Sequence, residues 1–216
     1  MTEAIETIES DNYVANIYID NSPFDPREGD NFGTLIAFHS KYDLSDNQDF
    51  TEEELIEHIQ RDDIFALPVY MYEHSGIALS TTPFSCEWDS GQVGYIFAAY
   101  EDIEKEGWNT EQAEKFLISE IETYSKYING EVYGYQIYKK GDCEHCSDDV
   151  DSCWGYIGYE WVQEEVKDQL DYLEDSFINP PRRNNILFFF AVVTETLHFF
   201  VIVFDDLNII RITFIT

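Results

Sequence analysis

Short β-branched and aromatic runs bounded by Asn, Asp, Pro and Gly recur through the first half of the chain, and each predicts a strand. Tyr13 to Ile19 and Thr34 to Phe38 are the first two, with a loop from Asn21 to Asn31 between them. Ile64 to Tyr72, Gly76 to Ser80 and Val93 to Ala99 follow. Thr51-Glu52-Glu53-Glu54 has capping-box spacing and opens a short helix whose buried stripe is Leu55, Ile56 and Ile59. A longer helix is predicted from Asn109 to about Ile128, because Ala113, Phe116, Leu117, Ile121, Tyr124 and Ile128 recur at helical spacing before the stop signal Asn129-Gly130. Glu131 to Lys140 reads as a strand. A last helix from about Tyr159 to Asp175 buries Val162, Val166, Leu170 and Leu173 and leaves Glu164, Glu165, Asp168, Asp171 and Glu174 outside.

These elements predict an α+β protein: a mixed or antiparallel sheet with two longer helices and one short helix, plus a C-terminal β-rich segment. Two regions follow, an acidic α+β domain over 1–179 and an apolar segment over 180–216 that opens with Pro180-Pro181-Arg182-Arg183. Within the second, Ile186 to Val193, Leu197 to Phe204 and Ile209 to Ile215 suit a β-meander joined by two polar turns. Ile186 to Phe204 is also long enough for a membrane tail anchor, but Glu195 and His198 sit near its centre, where one Glu costs about 2.5–3.5 kcal/mol.

Charge sharpens this division. The 44 Asp and Glu against 12 Lys and Arg give a formal net charge of -32 in 216 residues. The segment from Pro180 onward carries three acids and three bases, so the whole excess lies before it. A content of 44% apolar and 16% aromatic residues nevertheless predicts a folded chain rather than a solvated acidic tail. Such acidity disfavours direct binding to nucleic acid or to an anionic membrane. Salt-adapted proteins share the acidity, but not the richness in Ile, Phe and Tyr. Residues 1–6 have neither a basic nor an apolar signal region, which predicts a cytoplasmic protein. Its cysteines are then expected as thiols or metal ligands.

Cys143-Glu144-His145-Cys146 is half of a zinc site, which Cys153, with Cys86, His145 or His74, could complete. The other reading is a turn with unconnected thiols, since no second C-x2-C or H-x3-5-H is present. His74, Cys86, Asp89 and Cys153 supply the residue types of a Cys/His nucleophilic or metal-dependent ligand site. Against catalysis, no G-x-S-x-G elbow, phosphate loop, H-E-x-x-H or dinucleotide fingerprint occurs. On the plainer reading, the polar stretches around 74–76, 85–92 and 151–155 are turns, with Trp88 and Trp154 anchoring them to the core.

Pro26-Arg27-Glu28, Asp30-Asn31-Phe32-Gly33-Thr34, the run His74 to Cys86, Trp88 to Gly94 and Asp151-Ser152-Cys153-Trp154-Gly155 together resemble a family of acidic proteins encoded by phages and conjugative elements of Gram-positive bacteria. The resemblance covers roughly residues 17–175 and implies a mobile-element origin rather than a mechanism. Mobile elements meet restriction and CRISPR enzymes whose DNA channels are cationic, and a compact anion can compete for such a channel. The expectation is therefore a non-enzymatic inhibitor of a host DNA-binding defence enzyme, acting through a DNA-like anionic surface. Averaged over a chain this size, the charge is about threefold sparser than on B-DNA, so the acids must gather. The candidates for that surface are Glu52, Glu53, Glu54, Asp148, Asp149, Asp151, Glu164, Glu165, Asp168, Asp171 and Glu174. The alternatives are a small metal-dependent or Cys/His enzyme or ligand-binding protein, and a structural or assembly protein that self-associates through its apolar tail.

Overall fold

The computed structural model describes residues 3–46, 50–74, 76–86, 88–141 and 150–178, with the backbone alone for 186–193, 196–205 and 208–215. Residues 1–169 form one compact unit and 170–216 a second. The fold is α+β. Eight strands of the first unit form two four-stranded antiparallel sheets rather than the single sheet expected. The strands are β1 (Glu6–Glu9), β2 (Tyr13–Ile19), β3 (Thr34–Ala37), β4 (Ile64–Glu73), β5 (Ile77–Ser80), β6 (Ser90–Ala99), β7 (Val132–Lys139) and β8 (Asp151–Ile157). The helices are α1 (Glu52–Ile59), α2 (Tyr100–Lys105), α3 (Thr110–Ile128) and α4 (Tyr159–Ile178).

One sheet has the order β3-β6-β4-β5, and both its faces are covered. Leu35, Val69, Met71 and Ile96 pack with Leu117, Ile121 and Tyr124 of α3. The alternate positions Ile36 and Phe97 pack with Leu55 of α1. Burial on both faces is why β3, β4 and β6 read as near-continuous apolar runs. The predicted cap forms, the Thr51 hydroxyl accepting from the Glu54 N–H while the Glu54 carboxylate accepts from the Thr51 N–H, and α3 carries a second capping box, between Asn109 and Gln112. Phe116 departs from the predicted stripe. It stacks on Trp108 with centroids 4.0 Å apart and stays half exposed.

The second sheet has the order β1-β2-β7-β8. Ala15 and Ile17 pair with Ile137 and Tyr135, and all four are buried. They share a face with Glu6, which pairs with Ile17, and with Tyr133, whose ring lies 5.4 Å from that of Tyr159. The Glu6 carboxylate accepts from the Tyr159 hydroxyl at 2.5 Å and the Gln163 amide at 2.7 Å, so α4 lies on this face with Val162 and Val166 beneath it. On the opposite face Trp154 lies flat over Gly134 and stacks against Tyr18 at 6.1 Å. A Cβ at position 134 would collide with the indole, which fixes the residue as glycine.

Three sequence readings need correction. Glu6–Glu9 and Asp151–Ile157 are strands, although their composition suggested no element in the first case and a polar loop in the second. Both are edge strands, where one side lacks a ladder partner and polar residues are at home. The short helix α2 continues directly from β6 and adds a second short helix. Trp88 and Trp154 do not anchor loops in the core, being 97% and 46% exposed.

A buried ion cluster holds the long loop after β2. Asp25 caps the short 3-10 turn Pro26–Glu28, accepting from the Arg27 N–H at 2.8 Å. The Arg27 side chain, 6% exposed, makes a two-pronged contact with Asp46 at 2.9 and 2.5 Å. It also donates to Glu120 of α3 at 2.9 Å and to the Gly33 carbonyl at 2.8 Å. Glu120 accepts in turn from the Phe32 and Gly33 N–H groups, and Asp46 from the Leu35 N–H. Burial alone would lower the Arg27 pKa, but the bonds and charges of Asp46 and Glu120 outweigh it and raise it.

Two outcomes test this account. Removing one member of a buried, hydrogen-bonded ion cluster costs about 3–5 kcal/mol, so Arg27→Ala should lower the free energy of unfolding by that amount in denaturant titration, and Arg27→Lys should recover only part of it. An Arg27→Ala protein with the parent midpoint would show that the cluster contributes nothing. The Glu6 pKa is lowered by its bonds to Tyr159 and Gln163. Its contribution is therefore complete above the unfolded carboxylate pKa of about 4.3 and is lost as pH falls through the lower folded value. Glu6→Gln should accordingly flatten the stability–pH curve below about pH 4.3, measured by thermal melts, with no change of slope above it.

Candidate functional site

The residues that sequence alone singled out fall in three places. His74, Cys86 and Asp89 come together at one end of the β3-β6-β4-β5 sheet. Cys153 stands apart, exposed on β8 of the other sheet opposite Tyr135, so the predicted four-residue grouping with His74, Cys86 and Asp89 does not form. Cys143, Cys146, Asp148 and Asp149 lie outside the described residues. Among the described residues, no group of three or more His, Cys, Asp and Glu side chains is placed to hold a metal ion.

A bulge shapes the first location. The β4–β6 register shifts between Val69 and Tyr70, so that Val69 faces Gly94 and Tyr70 faces Gln92, leaving Val93 as the extra residue. Bulges re-aim side chains and bend the strand. Here the Val93 carbonyl takes the Phe38 N–H at 2.7 Å, tying the end of β3 to β6, and its side chain lines a cavity of about 380 Å³. The loop between β5 and β6 closes the other side. The Glu73 N–H donates to the Asp89 carbonyl at 2.9 Å, and the Ser90 hydroxyl to the Cys86 carbonyl at 2.6 Å. Tyr72 packs against Phe84 at 5.6 Å.

Asp89 is the centre of the polar cluster. Its Oδ2 accepts from the Cys86 thiol at 3.7 Å and lies 3.4 Å from His74 Nδ1. In an activated Cys/His pair the imidazole nitrogen faces the thiol and removes its proton. Here one carboxylate oxygen, Asp89 Oδ2, contacts both the thiol and the imidazole and thereby helps to hold the loop and the histidine. Glu73 forms the far wall, bonded to Lys41 Nζ at 2.7 Å and the Tyr42 hydroxyl at 3.4 Å, with His39 Nε2 at 3.9 Å. The Lys41 bond holds the Glu73 carboxyl below its ordinary pKa against the opposing effect of burial. His39, Met71, Glu73, Trp88, Asp89 and Val93 line the cavity, and the Trp88 indole stands in solvent at its rim.

The anionic candidates divide by element. Glu52, Glu53 and Glu54 are exposed in the first turn of α1, where the helix N-terminus stabilises them and Glu54 completes the cap. Asp151 is half-buried, and its Oδ2 accepts from the Tyr135 hydroxyl at 2.8 Å. Burial and that bond raise the Tyr135 pKa. Asp151 thus joins β8 to β7 through the Tyr135 hydroxyl. Glu164, Asp168 and Asp171 are exposed on α4, whereas Glu165 and Glu174 are half-buried.

Glu160 and Asp175, which sequence reasoning left out, extend this exposed row. The positions 160, 164, 168, 171 and 175 are spaced by four or three residues, so helical geometry aligns them in one stripe about 80° wide. The signal was present in the sequence as a four/three acidic spacing. Trp161 and Tyr172, 69% and 66% exposed, flank the stripe.

An exposed indole emits to the red and is reached freely by a neutral quencher, whereas an anchoring indole is shielded. Trp88→Phe should therefore remove the reddest and most acrylamide-quenchable component of the fluorescence while shifting stability by less than about 0.5 kcal/mol. A large loss of stability would show that Trp88 is held in the core. No protein-family model, curated protein or solved structure matches this chain, and its function has to be read from this geometry.

Proposed function

We propose that the protein acts by binding: it presents α4 as a DNA-like anionic edge to the cationic channel of a host DNA-binding defence enzyme, in the bacterial cytoplasm, and competes with DNA there. One observation carries the reading. Between Glu160 and Asp175, about 22 Å of helix holds seven carboxylates against the single base Lys167. That is about one net charge per 3.7 Å, close to the 3.4 Å per phosphate along one strand of B-DNA. The charges dispersed over the whole surface do not reach this density, but this helix does.

Their position strengthens the argument. Glu174 and Asp175 lie near the C-terminus of α4, whose last turn contains no basic residue. A helix C-terminus favours cations by about 0.3–1 kcal/mol each, so helix stability alone selects against acids there. The polar cluster around Asp89 supports binding over chemistry, because the Cys86 thiol donates to that carboxylate.

For the apolar C-terminal segment the β-meander remains our reading. It is supported by backbone pairing of β9 (Ile186–Val193), β10 (Thr196–Asp205) and β11 (Asn208–Ile215), antiparallel in the order β11-β10-β9. Among the described residues, no helix is long and apolar enough to cross a membrane. Self-association through this segment is the reading of its role that a meander with open edges favours.

The test is competition with a DNA duplex for a restriction or CRISPR nuclease, measured at rising salt. Affinity for the nuclease should fall by at least about tenfold between about 50 and 200 mM salt, as expected when several charges are neutralised on binding. The variant Glu164→Gln/Asp168→Asn/Asp171→Asn should weaken binding and give a shallower salt dependence while its circular dichroism is unchanged. Affinity indifferent both to salt and to these substitutions would overturn the proposal.

A further inference from the structure

We infer that the cavity between Trp88 and Asp89 is a socket for one cationic side chain, arginine in preference to lysine. Three independent features meet there. The first is a fully exposed indole, at 97%, beside Asp89, whose carbonyl is bonded to the Glu73 N–H of β4. Leaving so large an apolar face in water has no structural return, and Trp is enriched among residues that dominate binding energy at interfaces. The second is the concavity beside it, about 380 Å³, within the range of small-ligand sites. The third is its charge, since Glu73 and Asp89 stand on its walls.

These features select the ligand's chemistry. An indole face attracts a cation through its quadrupole, and guanidinium both stacks on the ring and forks onto a carboxylate, which a compact ammonium cannot do. Asp89 is pre-positioned for this. Its contacts with Cys86 and His74 both fall on Oδ2, and a carboxylate has about four acceptor sites in all. Glu73 is already neutralised in part by Lys41, which makes it the weaker wall and Asp89 the principal anion. The His74 and Cys86 contacts then have a role as positioning groups that fix the carboxylate on the cavity wall.

The identity of the natural ligand as an arginine of the cationic enzyme rests on the function proposed above, but the socket itself does not. Arginine lines DNA channels because it pairs with phosphates, so a protein that occupies such a channel meets exposed guanidinium groups. An anionic helix supplies diffuse attraction, whereas an indole–carboxylate pair fixes one residue and thereby register.

The experiment uses the full chain and N-acetyl-arginine amide as probe, followed by the amide proton–nitrogen spectrum of the Trp88 indole near neutral pH. N-acetyl-citrulline amide, equal in shape and uncharged, is the control. The expected result is a saturable shift with the arginine probe and at least about fivefold weaker binding of the citrulline probe, equivalent to about 1 kcal/mol. Asp89→Asn should abolish that preference, and the Glu164→Gln/Asp168→Asn/Asp171→Asn variant should retain it. Equal binding of the two probes, or an unchanged preference in Asp89→Asn, would overturn the socket. Loss of the preference in the α4 variant would overturn it as well, by showing that only diffuse charge is at work. A preserved socket together with nuclease binding that ignores the α4 substitutions would leave the socket standing and remove the DNA-like helix.

Discussion

The Arg27 guanidinium, buried among Asp46, Glu120 and the Gly33 carbonyl, is the contact on which the order of the first unit depends. It joins three segments that are distant in sequence: the loop after β2, the loop after β3 and the middle of α3. Each carboxylate also takes backbone N–H groups from the chain that leads into β3, at Phe32, Gly33 and Leu35. The cluster thereby satisfies donors that no ladder reaches and sets where β3 begins. Gly33 is part of the same constraint, because a Cβ there would run into Leu117 and Ile96. In a chain with 44 acids, two of them are used here as internal ligands for a cation. Within Pro26-Arg27-Glu28 and Asp30 to Thr34, Arg27, Phe32 and Gly33 thus have a role in the fold.

Other acids serve different ends in different places. At the start of α1 the carboxylates stabilise the helix N-terminus and close a cap. At Glu6 and Asp151 they accept from tyrosine hydroxyls and join elements of the second sheet. Along α4 they do neither, since the exposed row makes no contribution to the core and its end opposes the helix dipole. That difference, rather than the net charge, separates acids whose bonds or caps support the fold from the exposed row on α4, which carries the binding we propose. The same reasoning applies to aromatic residues. Trp108 is stacked on Phe116 and edge-on to Phe32, and Trp154 lies over Gly134, whereas Trp88 stands in solvent beside two carboxylates.

Much of the local structure was legible because its signals are local. Thr51-Glu52-Glu53-Glu54 specifies a cap, and the stripe Ala113, Leu117, Ile121 and Tyr124 specifies the face of α3 that is buried. The site was legible only as a set of residue types. His74, Cys86 and Asp89, twelve and three residues apart with β5 between the first two, lie close together, whereas Cys153 shares only their residue type and belongs to another sheet. Cys143 and Cys146 fall outside the described residues.

Which strands pair is a non-local matter, and there composition was silent. β2 finds β7 across the whole of the other sheet, and this pairing makes Glu6–Glu9 and Asp151–Ile157 edge strands despite their polar sequences. The sequence by itself determined an acidic α+β chain, three of the four described helices with most of their buried positions, and the confinement of charge to the part before Pro180, because periodicity, capping and composition are properties of neighbouring residues. Only the tertiary structure decided that there are two sheets, that Arg27 is enclosed, that Asp89 contacts both a thiol and an imidazole, and that Trp88 is left in water. Those outcomes depend on which distant surfaces meet, and solvent exposure is the remainder after every such meeting has been made.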